Sequence, residues 1–539
     1  MTERVVVRRG VYHDSVTLMQ VSRQAEGLPG VTAAAAVAAT PVNLELLARQ
    51  GFAVDAEGLG PNDLVLCVRA DGDEAAEEAV AAIGGLLAGA GRAGGDGGDG
   101  GAAAPPRSLR AAARRDPDLN LAVLSVPGRH LAYEAAQAIQ AGLHVFCFSD
   151  GLDVAEEAAF KRLAAERGLL FMGADCGTAI LDGVGLGFAN AVRRGPVGVV
   201  GASGTGIQEV TCLLDAAGVG VSHAVGVGGR DLSVAVDGTM TLRALELLAG
   251  DEQTRAILVI SKPPDPRVAE RVAAAAAATG KPVALAFPGM DAPPPLPAGV
   301  AFAGSLEAGA AWAAASQGAA LPPDAAAAPA VTPGAIRGLF SGGTLCYEAM
   351  AVVARALAGR VASNIPLRPE WRLADAARSD GHTFVDFGDD AMTEGRAHPM
   401  IDPSLRAERF RREAADPETG VVLLDVVLGY GAHPDPAAEL APLVERALAA
   451  RPDGLSVVVA LCGAAGDPQG LDRQAAALRA AGAVVTRSSA HAARLALAAA
   501  GLGRGAGPAS PSAPPAGGTA GADHPEAGRP APTDPGAGP

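Results

Sequence analysis

The residues best suited to chemistry sit in turns that follow apolar runs. Residues 197–209 read VGVVGASGTGIQE: an apolar run, a small-residue turn, then a helical pattern from about Gly206. The first N–H groups of a helix lack internal partners, and the helix dipole adds partial positive charge there. A strand–turn–helix junction of this kind therefore suits a phosphate or a carboxylate. Ser203 and Thr205 add hydroxyl donors, and Gly204 and Gly206 let a ligand approach the backbone. The turn has neither the Lys-Ser/Thr ending of a P-loop nor GxGxxG spacing. By spacing alone it is equally a tight turn with hydroxyl caps. Gly226-Val227-Gly228-Gly229 follows a second apolar run, and Asp237-Gly238-Thr239 opens a further helical pattern. Gly228 and Gly229 either approach a ligand or serve as turn glycines.

The pattern then repeats. Ser341-Gly342-Gly343-Thr344 followed by Glu348 matches Ala202-Ser203-Gly204-Thr205 followed by Glu209. Downstream, the apolar run 256–260 leads to Pro264-Asp265-Pro266, and 421–428 leads to Pro434-Asp435-Pro436. Elements matching in the same order point to duplicated α/β domains. Gly342, Gly343 and Thr344 are thus expected to form a second phosphate cradle.

His433, in GYGAHPD, follows the most apolar run of the last domain. Ligands of open α/β sheets bind beyond the carboxyl ends of strands. His433 is accordingly a nucleophile or proton carrier, or else a capping imidazole. The polar segment 382–403 offers Asp386, Asp389 and Asp390 for a divalent ion or for solvent. It lacks EF-hand spacing, and no metal site is expected. Arg396 and His398 are candidates for anion contact.

Short β-rich runs alternating with longer helical patterns would position these turns, which reads as a set of Rossmann-like or flavodoxin-like parallel-sheet domains. An N-terminal α/β module is expected at 1–90 and a Gly-rich linker at 91–108. A βαβαβ domain follows at 109–190, then the duplicated domains at 195–325 and 335–502. A disordered Gly/Pro/Ala tail is expected at 503–539.

Composition narrows the function. The 539 residues carry 43 basic and 59 acidic side chains, a net charge of -16, with no Lys/Arg run. This argues against nucleic-acid and anionic-membrane partners. No apolar stretch is long enough to span a bilayer, and with no apolar run after Arg4, Arg8 and Arg9 no signal peptide is expected. The six cysteines show no CxxC spacing and fit reduced thiols in a cytoplasmic protein. With 12 Phe, 4 Tyr and 2 Trp, cores must be built from Ala, Val and Leu, and stacked adenine recognition is not a main theme. Lysine occurs only as Lys161, Lys262 and Lys281; the other basic residues are arginines.

Taken together, these motifs resemble a family. VPGRHLAYEAAQAIQAGLHVFCFSDGL (126–152) and MGADCGTAI (172–180) are similar to the CoA-binding domain of the succinyl-CoA synthetase α subunit, with Cys176 in the Cys position of its IGPNCPG-like turn. The Ser203–Thr205 and Gly226–Gly229 turns resemble its ligase domain. VDFGDDAMTE, within 382–436, resembles the β subunit's C-terminal ligase domain. The order of these segments, with RRGVYHDSVTLM at 8–19, most resembles FdrA proteins. The resemblance implies CoA as a candidate cofactor, held near Pro127, Gly128, His130, Asp175 and Cys176. It also implies phosphate or acyl phosphate as substrate and other enzyme subunits as partners. FdrA proteins are associated with allantoin catabolism, which points to one subunit of an oxamate carbamoyltransferase.

The departures matter as much. The family's phosphohistidine would fall within 288–304, where this chain has no His, and the glutamate that pairs with it is replaced by Ser261-Lys262. No ATP-grasp domain is present, so no ATP site is expected in this chain. The catalytic set expected here is His433, Thr205 and Ser203. The alternatives are an acyl-CoA synthetase working with a separate ATP-grasp chain, and a non-catalytic scaffold subunit.

Overall fold

The computed structural model describes the chain except residues 12, 14, 61, 91–105, 291, 325, 327–328, 394–395 and 503–539. Most of the expected linker and the whole expected tail lie outside the described residues.

Strands β1 (Thr2–Arg8), β2 (Val31–Ala38) and β3 (Leu64–Ala70) form an N-terminal sheet of order β1-β3-β2, antiparallel throughout. Helices Ser15–Glu26 and Asp73–Ala90 share a core with it, around Leu18, Val21, Leu66, Val68 and Ile83. Next come β4 (Leu121–Leu124), β5 (His144–Cys147) and β6 (Phe171–Met172), a parallel β4-β5-β6 sheet. Its helices are Gly128–Gln140 and Val154–Glu166. The expected βαβαβ unit is there, but its last strand is two residues long.

Residues 178–187 fall inside the expected 109–190 domain. They form the hairpin β7 (Thr178–Leu181) and β8 (Val184–Gly187), which extends the next sheet instead. That sheet contains β9 (Arg194–Gly201), β10 (Val221–Gly226), β11 (Ala256–Ile260), β12 (Val283–Ala286) and β13 (Val300–Ala303). Its order is β13-β12-β11-β9-β10-β7-β8, parallel from β13 to β10. The last sheet contains β14 (Ala335–Phe340), β15 (Ala362–Ser363), β16 (Thr383–Asp386), β17 (Thr419–Val427), β18 (Ser456–Cys462) and β19 (Val484–Thr486). It is parallel, in the order β15-β16-β14-β17-β18-β19.

The duplication is visible in these orders. In each large sheet the first parallel strand, β9 or β14, lies inside the sheet with neighbours on both sides. Chain order reverses there, so each has a crevice beyond its carboxyl end. The helix that follows each strand, Gly204–Ala216 or Gly343–Leu357, starts at that crevice. β17 and β18 are buried at every residue, as strands covered on both faces must be, and read as apolar runs interrupted in β17 by Asp425.

The two domains share one core. Val210, Leu213 and Leu214 of the first pack in a cluster with Leu345, Met350, Ala493 and Ala496 of the second. Polar groups cross the same boundary in a reciprocal way. Ser489, the first residue of the second domain's last helix, donates its N–H to Glu209 Oε2 at 3.2 Å. Leu306, the first residue of the first domain's last helix, donates its N–H to Glu348 Oε1 at 2.6 Å. The repeated glutamates are thus caps for the opposite domain. Burial pushes both carboxyls up, Glu348 to about 7.

Candidate functional site: a crevice between two helix N-termini

A crevice of about 490 Å³ opens where the β4–β6 unit and both duplicated domains meet. Its floor is the pair of repeated turns. They touch: a Cβ on Gly342 would lie 2.9 Å from the Thr205 side chain. Two helix N-termini therefore converge on one space, which reading each turn separately could not reveal.

The first turn is open. Ser203 is the N-cap, in an extended conformation, and its Oγ accepts the Gly206 N–H at 2.9 Å. This leaves the N–H groups of Gly204 and Thr205, which a helix cannot satisfy internally. Ser203, Gly204 and Thr205 all line the crevice. Gly206 does not; it is buried beneath the serine cap.

The second turn is partly filled by the protein itself. The Ser341 N–H and Oγ–H both donate to Asp425 Oδ1 at 2.8 Å, and the Gly342 N–H donates to Asp425 Oδ2 at 2.7 Å. Arg406 pairs with the same carboxylate at 2.6 Å. Gly342 is thus committed to Asp425, and only Gly343 and Thr344 of the expected cradle face the crevice with Ser341.

Other expected residues divide in the same way. Gly229 lines the crevice with open space where a side chain would be, whereas a Cβ on Gly228 would meet the Ala174 carbonyl at 2.6 Å. Gly228 is therefore a packing glycine. A buried network holds this turn: Lys161 Nζ donates to the Val227 carbonyl at 2.7 Å and pairs with Asp231 and Glu157, each at 2.9 Å. Pro127 and Asp175 line the crevice. Gly128 lies against Gly151 instead, and His130 accepts from Arg129 Nε at 3.1 Å on the exposed side. Cys176 is buried behind the wall, its thiol pushed up to about 12 by burial.

His433 does not line the crevice. It stands one layer behind, where its N–H donates to the carbonyl of Met400, a lining residue, at 2.7 Å. Its Nδ1 accepts the Asp435 N–H at 3.0 Å. This is the capping geometry, and the imidazole at the crevice is His398. Burial, aided by Arg406, pushes His398 down to about 4, so it is neutral at physiological pH. Arg396 also lines the crevice.

The remaining wall sets acidic side chains around Lys262. Burial, then Asp390 and Asp150, pushes the Asp175 carboxyl up to about 7. Burial pushes Asp386 up to about 7 as well, against the pull of Lys262. Asp390 is raised for the same first reason, again opposed in part by Lys262. Among the described residues, no group of three His, Cys, Asp or Glu is placed to hold a metal ion. The sequence reading did not assign Lys262 or Asp150 to the site. Lys262 carried a signal nonetheless: it is one of three lysines and stands where the resemblance places a glutamate.

The chain is 39% identical over 505 residues to "Uncharacterized protein YahF" of Escherichia coli (strain K12), covering 91% of this chain and 97% of that one. It belongs to the FdrA family of succinyl-CoA synthetase α-subunit-like proteins. Three family profiles match in order: "AllF, heavy metal-associated domain" at 1–104, "CoA binding domain" at 192–289 and "CoA-ligase" at 339–499. The CoA-binding match falls one domain beyond the 109–190 segment expected from the motifs; both segments wall the crevice. A succinate–CoA ligase [ADP-forming] α subunit of Archaeoglobus fulgidus is 30% identical over 154 residues, 28% of this chain and 52% of that one. Among solved structures, a dinucleotide-forming acetyl-coenzyme A synthetase of Ca. Korarchaeum cryptofilum is 14% identical. It covers 76% of this chain and 87% of its own, with a TM-score of 0.31. The FdrA-family scaffold is ligase-like and of the acyl-CoA synthetase type. Its N-terminal domain has one cysteine, the buried Cys67 with its thiol pushed up to about 12, and one histidine, His13. These do not fit a soft heavy-metal site, which needs paired thiolates or imidazoles. Among the described residues no helix is long and apolar enough to cross a membrane.

Proposed function

We propose that the crevice transfers a carbamoyl or acyl group onto phosphate. The observation that carries this reading is the convergence of the two repeated turns, Thr205 against Gly342, in a crevice wide enough for two small reactants. Aimed N–H donors and helix dipoles stabilise an oxyanion that develops between them, and they do so without a nucleotide. In this reading Gly204 and Thr205 hold phosphate, while Gly343 and Thr344 face the acyl carbonyl. The specific reaction in this reading is the conversion of oxalurate and phosphate to oxamate and carbamoyl phosphate, in purine catabolism, with other subunits. The likeness of residues 1–104 to the AllF heavy metal-associated domain supports it. The test is isotopic exchange between inorganic phosphate and carbamoyl phosphate in the assembled enzyme. Absence of exchange with oxamate present would refute the reading.

A second reading is favoured by a different observation. Pro127 and Asp175, from the segment resembling a CoA site, line the same crevice. In that reading the chain binds CoA and acts as an acyl-CoA synthetase with a separate ATP-grasp chain, as the relatives' names suggest. Calorimetric titration with CoA tests it, and mass spectrometry of co-purified chains shows whether an ATP-grasp partner is present.

A further inference from the structure

Lys262 follows β11 and reaches the crevice floor. Of the three lysines, Lys161 is locked in a buried network, and Lys281 donates to the carbonyls of Leu248 and Asp251. Lys262 has no hydrogen bond or ion pair among the described residues. Asp386, at the end of β16, is 4% exposed and also lines the crevice. Its Oδ1 accepts the Gly388 N–H at 2.9 Å. Its Oδ2 has no hydrogen-bond partner among the described residues and faces the second turn. A methyl group on Gly343 would lie 2.6 Å from that Oδ2 and 3.4 Å from Lys262 Nζ. An ammonium without a partner and a carboxyl oxygen without a partner thus both border the position where a side chain on Gly343, at the helix N-terminus, would stand. An ammonium left this way in a crevice suits an anion brought from solution.

We propose that Lys262 and Asp386 work as a couple in this crevice: Lys262 binds the oxygens of the attacking phosphate, and Asp386 carries that phosphate's proton to the nitrogen that leaves. This rests on the phosphate-transfer reading above. In the step, an oxygen of hydrogenphosphate forms a bond to the carbonyl carbon of an N-acyl urea, and the bond from that carbon to the acylated nitrogen breaks. The proton on the phosphate passes to Asp386 as the new C–O bond forms. Asp386 returns one proton to the departing nitrogen, which leaves as a primary amide. The carboxyl ends as it began, and one carbamoyl phosphate and one amide are formed without an oxidant, a reductant or a nucleotide.

The groups facing Asp386 are Lys262 after β11, Asp389 in its own loop, Asp425 on β17, Cys346 on the helix Gly343–Leu357 and His398 beside Gly388. His398 is neutral, and Asp425 is bound to Arg406. Burial sets the Asp386 carboxyl at about 7, where a proton carrier works best at neutral pH.

Two measurements test the couple. The full chain is titrated with inorganic phosphate by calorimetry: Lys262→Met is expected to weaken binding about 10-fold or more, and Lys262→Arg to restore most of it. Unchanged affinity in Lys262→Met, or no phosphate binding by the wild type, overturns the role of Lys262. In the assembled enzyme, Asp386→Asn is expected to lower phosphate exchange about 100-fold and to erase the bend of the rate near neutral pH, with phosphate affinity kept. Asp386→Glu is expected to recover part of the rate and the bend. A folded Asp386→Asn enzyme with wild-type exchange overturns the proton-carrier role and leaves the transfer reading standing. A wild-type enzyme that binds phosphate through Lys262 but never exchanges it refutes the transfer reading and the role of Asp386, and supports the phosphate site.

Discussion

The two repeated turns share residue types and order but differ electrically. At the first, a serine caps its own helix, and Gly204 and Thr205 face the crevice. At the second, the Asp425 carboxylate has taken the N–H groups of Ser341 and Gly342, with Arg406 neutralising it from behind. A helix N-terminus read from sequence is a capacity for an anion. Whether the fold already supplies that anion depends on a residue more than 80 positions away. The first turn is thus the one whose N–H groups stay open to an anion from solution, and the second is a wall whose dipole is partly spent.

The strongest way to break this comparison is to unpair Asp425. Arg406→Ala leaves a fully buried carboxylate without its cation and is expected to cost about 3–5 kcal/mol, read by denaturant unfolding. A cost below about 1 kcal/mol would mean that the pair is not what fills the second turn. Next in size is the kinetic contrast between the turns. Thr205→Ala is expected to lower transfer about 100-fold, and Thr344→Ala closer to about 10-fold. Equal losses would erase the asymmetry, and full turnover in a folded Thr205→Ala enzyme would favour a scaffold subunit.

Glu348 gives a pH-dependent test. Its folded carboxyl lies at about 7, above the ordinary value of 4.5, chiefly because burial disfavours the charge. The folded state therefore holds the proton more tightly than the unfolded chain. Its contribution is fully favourable below about 4.5 and is lost as pH rises through about 7. Glu348→Gln keeps an acceptor for the Leu306 N–H and should flatten this fall, gaining about 1–2 kcal/mol at pH 8. An unchanged pH profile of thermal unfolding would show that the carboxyl stays ionised. The smallest effect is at Ser203: replacing this N-cap by Ala should cost about 1 kcal/mol in unfolding experiments, with no counterpart at Gly342, which makes no side-chain cap.

Much of this molecule is legible one segment at a time. Strand and helix periodicity placed the duplicated domains, and the paired SGT and GGT turns located both helix starts, with the first helix beginning two residues earlier than expected. The segment 178–187, placed by its position in the 109–190 domain, pairs with the next sheet instead, because a short strand's sheet membership is set by long-range pairing, not by its own residues. His433 misled for a related reason. A histidine after an apolar strand reads the same whether its ring faces the ligand or caps the next turn, and the Asp435 N–H decided it. Lys262 and Asp386 come from different domains, 124 positions apart, so no local pattern joins them.

The sequence by itself determined the parallel α/β class, the duplication, the acidic character and the family, because these rest on periodicity, composition and motif order. Only the tertiary structure decided which helix N-terminus stays open, that the two turns touch, and which side chains reach the space between them. Backbone periodicity is a local property. The partner that takes an N–H, or the carboxylate that meets an ammonium, is set by how separate sheets pack.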